Sequence, residues 1–302
     1  MSIRQYLKEI GRGKDGARAL NREQAADLMG QVLDGQVDDL ALGAFCAAMR
    51  IKGETPDEMA GFLDATEARL QKLPNAGVPT VVLPSYNGAR KLPVLTPLLG
   101  LLLAQRGVAV VVHGTPTEDA RVSSADVLSA LGHAPASQSS TALAAGQLVY
   151  VPTGQLHQGL QALLAARRVV GLRNSGHSLV KLMNPCTGPA LVVGSYTHPE
   201  YATSMAATFA LTGAHALLLR GTEGEPVADP RRRPRLLAVR EGLTHERMPA
   251  QEGPLTHLPD LPAPDASATA AWTREVLDGR RAVPAPVAEQ VECILRELDH
   301  HA

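Results

Sequence analysis

The centre of the chain alternates short apolar runs with segments of helical pattern, and this alternation constrains the fold most. The run Val108–Val112 contains no polar residue, which is typical of a strand covered on both faces of a parallel sheet. The other strand candidates share this character and are Val81–Leu83, Leu148–Val151, Val169–Leu172 (with a helix as its alternative), Ala190–Gly194 and Ala216–Leu219. Helical patterns separate them over Thr96–Gln105, Ser123–Leu131 and His198–Leu211. The alternation predicts an α/β domain with a central, mostly parallel sheet.

Residues 2–70 carry helix signals and no strand pattern. Asn21 can cap one helix, and Thr55, Pro56 and the acidic pair after them can open another. A Pro- and Gly-containing hinge follows at Leu73–Pro79. We therefore expect a small all-helical domain over 1–73 and a larger α/β domain over 80–302. A segment near 155–185 is expected to pack back on the helical domain.

Composition excludes several classes of protein. The 302 residues are 45% hydrophobic and 20% charged, so the chain can bury a core and is not of the disordered type. Its three cysteines, Cys46, Cys186 and Cys293, are too scattered for a zinc cage or a disulfide framework. The N-terminus has no signal-peptide core, and the longest apolar stretch falls short of the about 20 residues that span a bilayer. We expect a soluble, cytoplasmic protein with no metal and no cofactor.

The net charge of −1 hides an uneven distribution. Residues 1–67 hold 8 basic and 12 acidic side chains, and residues 200–302 hold 11 and 15. Residues 68–199 hold 10 basic side chains and only Glu118, Asp119 and Asp126. A surface that binds a polyanion lacks carboxylates in this way. The alternative is that buried strands and helices simply contain few charges.

One strand-to-helix loop has the character of an anion site. The segment from Pro84 to Lys91 contains Ser85, Asn87, Gly88, Arg90 and Lys91, and exposed amides in such a loop bind anions. The alternative is an ordinary connection with solvated charges. His113 and Gly114 close the next apolar run, so His113 either lines a ligand cleft at the carboxyl edge of the sheet or is structural.

Two further basic groups are candidates for phosphate contacts. Arg167, Arg168, Arg173 and Lys181 lie in a stretch without Asp or Glu, so no sequence neighbour neutralises them. A solvated helix face is the alternative. The densest run, Arg231, Arg232, Arg233 and Arg235, lies in a proline-bounded loop. That loop is either merely exposed or reaches along a phosphate backbone.

The familiar catalytic motifs are missing. The sequence contains no H-E-x-x-H, G-x-x-x-x-G-K-[ST] or G-x-S-x-G motif, and we assign no catalytic residue. Aromatic residues make up 3% of the chain, with Trp272 as the single tryptophan. This composition argues against base stacking on a broad aromatic platform.

Several segments resemble the anthranilate phosphoribosyltransferase fold, which is shared with pyrimidine nucleoside phosphorylases. They are the helical pair Ala44–Ala65, Val111–Gly114, Ser124–Gly132 and Leu182–Pro185. The catalytic pattern departs from that family. Its G-T-G-G-D loop reads Ser85–Ala89, its N-x-S-T reads Pro93–Thr96, and its K-H-G-N-R keeps only His113 and Gly114. The metal-binding Asp-Glu pair is expected to be replaced near Ala228–Asp229. Losing four such elements argues against magnesium-assisted phosphoribosyl transfer.

The strings P-S-Y-N-G-A-R-K, L-R-N-S-G-H-S and K-L-M-N-P look like the YbiB group, a divergent branch of this fold. The resemblance implies a homodimer, paired through the helical domains, that binds nucleic acid without sequence preference. Our first hypothesis is thus a non-enzymatic protein for DNA or RNA, in which a sugar-phosphate cleft has lost its carboxylates. The alternatives are a glycosyl or phosphoribosyl transferase with an altered donor or acceptor and a metabolite-sensing pseudoenzyme.

Overall fold

The computed structural model describes residues 3–13, 15–75, 77–136, 142–255 and 258–299. A helical bundle precedes an α/β domain with a mostly parallel sheet, which confirms the predicted fold class. The bundle consists of α1 (Arg4–Ile10), α2 (Arg22–Leu33), α3 (Asp39–Lys52) and α4 (Pro56–Glu67). Further helices are α5 (Thr96–Gln105), α6 (Ser124–Leu131), α7 (Thr153–Leu156), α8 (Gln158–Ala165), α9 (Arg167–Val170), α10 (Gly176–Leu179), α11 (Glu200–Thr212), α12 (Ala266–Leu277) and α13 (Ala285–Asp299).

The predicted caps open two helices of the bundle. Asn21 accepts a hydrogen bond from the Gln24 backbone, and the Gln24 side chain accepts one from the Asn21 backbone in return. Thr55 and Glu58 form the same reciprocal pair at the start of α4. Such capping boxes satisfy amides that the first helical turn leaves unpaired. The Glu58 carboxylate is fully buried and is also bound by Lys52 at 2.6 Å.

The sheet has seven strands in the order β3-β2-β1-β4-β5-β6-β7. They are β1 (Thr80–Ser85), β2 (Ala109–Gly114), β3 (Leu148–Pro152), β4 (Leu191–Tyr196), β5 (Ala216–Arg220), β6 (Leu236–Arg240) and β7 (Leu243–Met248). The first five run parallel, whereas β6 and β7 pair antiparallel at one edge. The strand order reverses between β1 and β4, and such a reversal leaves a crevice beyond the carboxyl ends of the strands.

The segment around 155–185 contacts the helical bundle. The Gln71 backbone donates to Leu156, and Gly159 lies so close to α2 that a Cβ would be 2.0 Å from the Leu33 carbonyl oxygen. Backbone hydrogen bonds also join the linker between the domains to the segment Pro185–Thr187. The Leu73 amide donates to the Pro185 carbonyl, and the Thr187 amide donates to the Leu73 carbonyl.

The structure differs from the sequence interpretation at Val169–Leu172 and at the strands β6 and β7. Val169–Leu172 is not a strand: α9 covers Arg167–Val170, Gly171 ends it with a φ of +78°, and Val169 is 90% exposed. A short apolar run such as this one occurs both in buried strands and in helices, so periodicity alone could not decide between them. The antiparallel pair β6 and β7 was not predicted. β7 is exposed along its length and has no apolar alternation, whereas β6 is a buried apolar run like the predicted strands and was missed. Within the described residues no helix is long and apolar enough to cross a membrane.

Substituting Gly61 tests the packing of the bundle. A Cβ on Gly61 would lie 2.2 Å from the Arg22 carbonyl oxygen, so we expect Gly61→Ala to destabilise the protein by about 2 kcal/mol. Gly43 in α3 is a matched control, because a Cβ there meets nothing within 4 Å. Gly43→Ala should stabilise by up to about 1 kcal/mol through helix propensity. Urea unfolding of both variants measures the difference, and equal stabilities would contradict this account of the packing.

Candidate anion-binding site

Two loops face each other at the carboxyl edge of the sheet, beside the reversal of strand order. One follows β1 and runs from Tyr86 to Leu92. The other follows β5, contains a short 3-10 turn over Thr222–Gly224 and ends at Glu225. The side chains of Glu223 and Glu225 extend from the second loop to the first. The site predicted to hold an anion is therefore in contact with two carboxylates of the chain itself.

Glu225 is 1% exposed, and hydrogen-bond donors surround its carboxylate. Its Oε1 accepts from the backbone amides of Asn87 at 2.8 Å and Gly88 at 2.9 Å. Its Oε2 accepts from three hydroxyl groups, which belong to Ser85, Thr96 (3.1 Å) and Ser124 (3.3 Å). Amides and hydroxyls arranged around one carboxylate are the donor set that also binds a phosphate.

Glu223 occupies the second half of the same loop. Its Oε1 accepts from the amides of Lys91 at 2.8 Å and Leu92 at 3.0 Å, and the Arg90 amide contributes at 3.2 Å. Burial works to raise the pKa of Glu223, but the amide hydrogen bonds and Arg121 outweigh it and lower the pKa. Arg90 and Lys91 are themselves exposed.

These contacts correct the expectation that the cleft has lost its carboxylates. Ala228–Asp229 does not supply the nearest acids: Asp229 is bound by its neighbour Arg231 at 2.7 Å. Glu223 and Glu225 supply them instead. The proposed loop is nevertheless shaped for close approach, since Gly88 has a φ of +60° and a Cβ there would lie 2.6 Å from the Val122 carbonyl oxygen.

Lys181 fixes the acidic loop from the opposite side. Its Nζ donates to the carbonyl oxygens of Gly224 at 3.0 Å and Ser195 at 3.3 Å, and the Ser195 hydroxyl also donates to Gly224. Burial lowers the pKa of Lys181 to about 8, against the attraction of Glu225. Lys181 therefore holds the backbone between the two glutamates, whereas the sequence interpretation gave it a surface phosphate.

His113 belongs to the core of the domain. It is fully buried, its Nδ1 lies 2.8 Å from the Tyr86 hydroxyl, and the Thr153 hydroxyl donates to that same oxygen. Burial lowers the pKa of His113 to about 3, so its ring is neutral at pH 7. Gly114 allows β1 and β2 to approach, because a Cβ would lie 1.9 Å from the Ser85 carbonyl oxygen. Of the two roles considered for His113, its burial supports the structural one over the lining of a ligand cleft.

Three arginines converge on Glu118, and we call these four residues the Glu118 cluster. Arg173, Arg167 and Arg121 approach its carboxylate at 3.0, 3.1 and 3.4 Å. Arg168 pairs separately with Asp119 at 2.7 Å. The expectation that no acid neutralises this group is thus wrong, because the loop after β2 brings two acids to it. One carboxylate nevertheless faces three guanidinium groups.

A cleft of about 260 Å³ lies beside this cluster, between the helical bundle and the α/β domain. Arg173, His177 and Lys181 line it, with Glu54 and Tyr201 among the residues opposite. His177 is 7% exposed, and its Nε2 atom has no hydrogen-bond partner. Burial, and then the charges of Arg173 and Arg167, lower the pKa of His177 to about 4.

The arginine run in the proline-bounded loop is tied to acids and carbonyls. Arg233 pairs with Glu289 at 3.4 Å, Arg235 pairs with Glu246, and Arg232 donates to the Gly253 carbonyl. None of these partners belongs to the Glu118 cluster. Among the described residues no group of three or more His, Cys, Asp or Glu side chains could hold a metal ion.

This architecture was compared with those of known proteins. Residues 4–69 match the family model described as the helical bundle domain of the glycosyl transferase family. The sequence is 41% identical to the uncharacterized protein YbiB of Escherichia coli K12, over 98% of this chain and 94% of that protein. It is 30% identical to anthranilate phosphoribosyltransferase of Sorangium cellulosum, over 87% and 77% of the two chains.

The chain belongs to the YbiB group of the anthranilate phosphoribosyltransferase-like family. The crystal structure of anthranilate phosphoribosyltransferase from Thermus thermophilus superposes with a TM-score of 0.75 at 23% identity, covering 94% of this chain and 85% of that one. The Saccharomyces cerevisiae enzyme in complex with PRPP and Mg superposes with a TM-score of 0.67 at 13% identity, covering 99% and 96%. These two likenesses concern the fold alone.

The two buried histidines make stability depend on pH. Their pKa values in the folded protein, about 3 for His113 and about 4 for His177, lie below the ordinary value near 6.5. The unfolded chain therefore binds more protons between those values, and the free energy of unfolding falls as the pH falls. We expect a loss of up to about 1.4 kcal/mol per pH unit from each histidine below about pH 6.

Urea unfolding at several pH values measures this slope. His177→Gln removes one titrating group, so its stability should fall less steeply with acid than that of the wild type. His245 on β7 is exposed, and His245→Gln is measured alongside as the matched substitution. An unchanged slope in His177→Gln would contradict the assignment.

Proposed function

We propose that this chain is a non-enzymatic nucleic-acid (DNA) binding protein, which binds without sequence preference as a homodimer through basic surface grooves. The observation that carries the proposal is a contrast between two neighbouring parts of the carboxyl edge of the sheet. The anion-binding loop is filled by the carboxylates of the chain, whereas the surface beside it holds an excess of guanidinium groups. The scaffold resembles that of anthranilate phosphoribosyltransferase, but the amides of the loop after β1 already donate to Glu223 and Glu225.

The filled loop argues against phosphoribosyl transfer. That reaction needs a loop that receives the diphosphate leaving group and stabilises its charge. Here five backbone amides of that loop already donate to Glu223 and Glu225. An entering diphosphate would compete for these donors and meet two like charges at close range.

Contacts through Glu223 and Arg121 connect the loop after β1 to the Glu118 cluster. The amides of Arg90 and Lys91 bind Glu223, Arg121 lies 3.7 Å from Glu223, and Arg121 also contacts Glu118. Counting the two members of the neighbouring Arg168–Asp119 pair, six cations accompany three acids: Arg90, Lys91, Arg121, Arg167, Arg168 and Arg173 with Glu118, Asp119 and Glu223. The excess of three positive charges favours an anionic partner.

The chemistry of this surface fits a phosphate backbone better than base edges. Guanidinium groups bind phosphate oxygens through paired donors, and such contacts carry no sequence information. Pairing of two chains would duplicate the surface across a two-fold axis. Leu40 and Ile51 on α3 are 86% and 73% exposed, which supports pairing through the helical domain.

Salt dependence tests the proposed contacts. We expect binding of unrelated DNA and RNA sequences, single- and double-stranded, with similar affinities that fall steeply from about 50 to 200 mM salt. Arg167→Gln combined with Arg168→Gln should weaken binding to every sequence. It should also reduce the slope of log K against log salt by about 2 on duplex DNA.

Two further variants serve as controls for that titration. Arg106→Gln removes an exposed arginine that pairs with Glu292 on α13, and we expect no change from it. Glu118→Gln removes the acid that three arginines share, so it should strengthen binding. Equal slopes in the wild type and the Arg167/Arg168 variant would show that the Glu118 cluster does not contact the nucleic acid.

The alternative function is a phosphoribosyl transferase with an altered donor or acceptor. The interdomain cleft favours it, because Arg173 and the unpartnered Nε2 of His177 face a cavity of about 260 Å³. Calorimetry with phosphoribosyl diphosphate and magnesium separates the two functions. We expect no metal-dependent heat of binding from the wild type, because Glu223 and Glu225 occupy the loop; tight magnesium-dependent binding would favour the enzyme.

A further inference from the structure

We propose that a second cavity of the α/β domain binds a small zwitterion with an aromatic side chain, of the class of the aromatic α-amino acids. The cavity measures about 400 Å³ and lies between the segment Pro230–Arg231, the chain before α12 and the start of α13. It shares no lining residue with the interdomain cleft, and its volume is in the range of ligand pockets. The site is separate from the Glu118 cluster, so it does not rest on nucleic-acid binding.

Most of the cavity lining is apolar, and it includes the single tryptophan of the chain. Trp272 on α12 is 6% exposed. The other apolar lining residues are Pro230, Leu255, Pro259, Ala282, Val283, Pro284, Ala285 and Pro286. Proline and alanine side chains lose almost no conformational entropy when a ligand covers them, and a second aromatic ring beside an indole gains more than its buried area alone provides. This lining therefore favours a ligand with an aromatic side chain.

Hydrogen bonds hold the walls of the cavity in place. The indole N–H of Trp272 donates to the Asp260 carbonyl at 3.0 Å, which ties α12 to the chain before it. The fully buried Gln290 of α13 donates to the Pro226 carbonyl at 3.1 Å and accepts from the Ala228 amide at 2.8 Å. These bonds fix α13 against the chain that leads to the Pro230–Arg231 wall. Walls that are already fixed need little reorganisation when a ligand binds.

Two arginines at the cavity are held by acids and keep donors for a ligand carboxylate. Asp229 accepts from Nε and Nη2 of Arg231 at 2.9 and 2.7 Å. Asp260 and Glu275 accept from Nη1 and Nε of Arg281 at 2.6 and 2.9 Å. No hydrogen bond between described residues uses Nη1 of Arg231 or Nη2 of Arg281, and these nitrogens can donate to a carboxylate. Arg231 is the stronger candidate, because one acid rather than two offsets its charge.

Glu289 of α13 supplies the opposite charge at the same cavity. Its Oε2 lies 3.4 Å from Nη1 of Arg233, and its Oε1 accepts no hydrogen bond from any described residue. An ammonium group can donate to that oxygen. Two cations and two carboxylates line the cavity in all, so a ligand with a single charge would leave one sign unmatched. A carboxylate for Arg231, an ammonium group for Glu289 and a ring for the apolar lining together define an aromatic α-amino acid.

Trp272 reports on this site directly, because no other tryptophan contributes to the fluorescence of the protein. The full-length protein is titrated with L-phenylalanine, N-acetyl-L-phenylalanine and L-phenylalaninamide. We expect L-phenylalanine to change the tryptophan fluorescence saturably and to raise the Tm. The two derivatives lack the ammonium group or the carboxylate, so each should bind at least about ten-fold more weakly through the loss of a charged hydrogen bond. No saturable change with L-phenylalanine, or equal affinities for the three compounds, would overturn the proposal.

Two substitutions assign the charged contacts. Arg231→Gln should weaken the binding of L-phenylalanine about ten-fold and leave that of L-phenylalaninamide, which has no carboxylate, unchanged. Glu289→Gln should weaken L-phenylalanine by a similar factor without weakening N-acetyl-L-phenylalanine, which has no ammonium group. Arg231 is exposed and Glu289 is partly exposed, so both variants are expected to fold.

Arg280→Gln is the matched control. Arg280 is exposed and pairs with Asp278 at 2.6 Å, and it lies next to Arg281 in sequence without lining the cavity. Its loss should leave all three affinities unchanged. Equal weakening of the three compounds in Arg231→Gln would mean that the substitution disturbs the cavity rather than a carboxylate contact, and this would overturn the assignment. Weakening of L-phenylalanine by Arg173→Gln alone would place the ligand in the interdomain cleft and overturn the proposal as well.

Discussion

The buried carboxylate of Glu225 organises the carboxyl edge of the sheet. A charge removed from water is tolerated only where hydrogen bonds replace its hydration, and this one accepts from donors on four separate parts of the chain. Ser85 ends β1, Asn87 and Gly88 form the following loop, Thr96 begins α5 and Ser124 begins α6. The position of each element at this edge is therefore coupled to one side chain. The same requirement explains why the loop after β5 adopts an unusual backbone conformation, with a φ of +50° at Glu223.

This arrangement separates the fold from the chemistry that related proteins perform on it. A fold supplies a cleft, and the side chains in the cleft decide what it binds. Here Glu223 and Glu225 occupy the loop at the carboxyl edge of the sheet, and the arginines surround Glu118 beside it. Glu223 and Glu225 offset the positive potential of the loop amides. The surface around the loop is then the part of this edge that can attract an anion.

Sequence patterns predicted the parts of the molecule that depend on local chemistry. The caps at Asn21 and Thr55 and the parallel strands follow from residue type and spacing within a few positions, and the structure has them. The state of the site depends on contacts across the chain. Glu225 lies more than 130 residues from the amides that it binds, and Glu118 lies some 50 residues from Arg167 and Arg173. Counting charges along the sequence cannot show which acid pairs with which arginine. The count therefore overestimated the number of arginines without an acidic partner.

The backbone bonds between the interdomain linker and the Pro185–Thr187 segment have a mechanical consequence. Leu73 both donates to and accepts from that segment, so a movement of the linker away from it would break these two hydrogen bonds. A pair of lobes joined in this way resists the opening and closing strokes that a turnover cycle uses to admit reactants and expel products. A linker bonded in this way has less conformational entropy to lose when either domain binds a ligand.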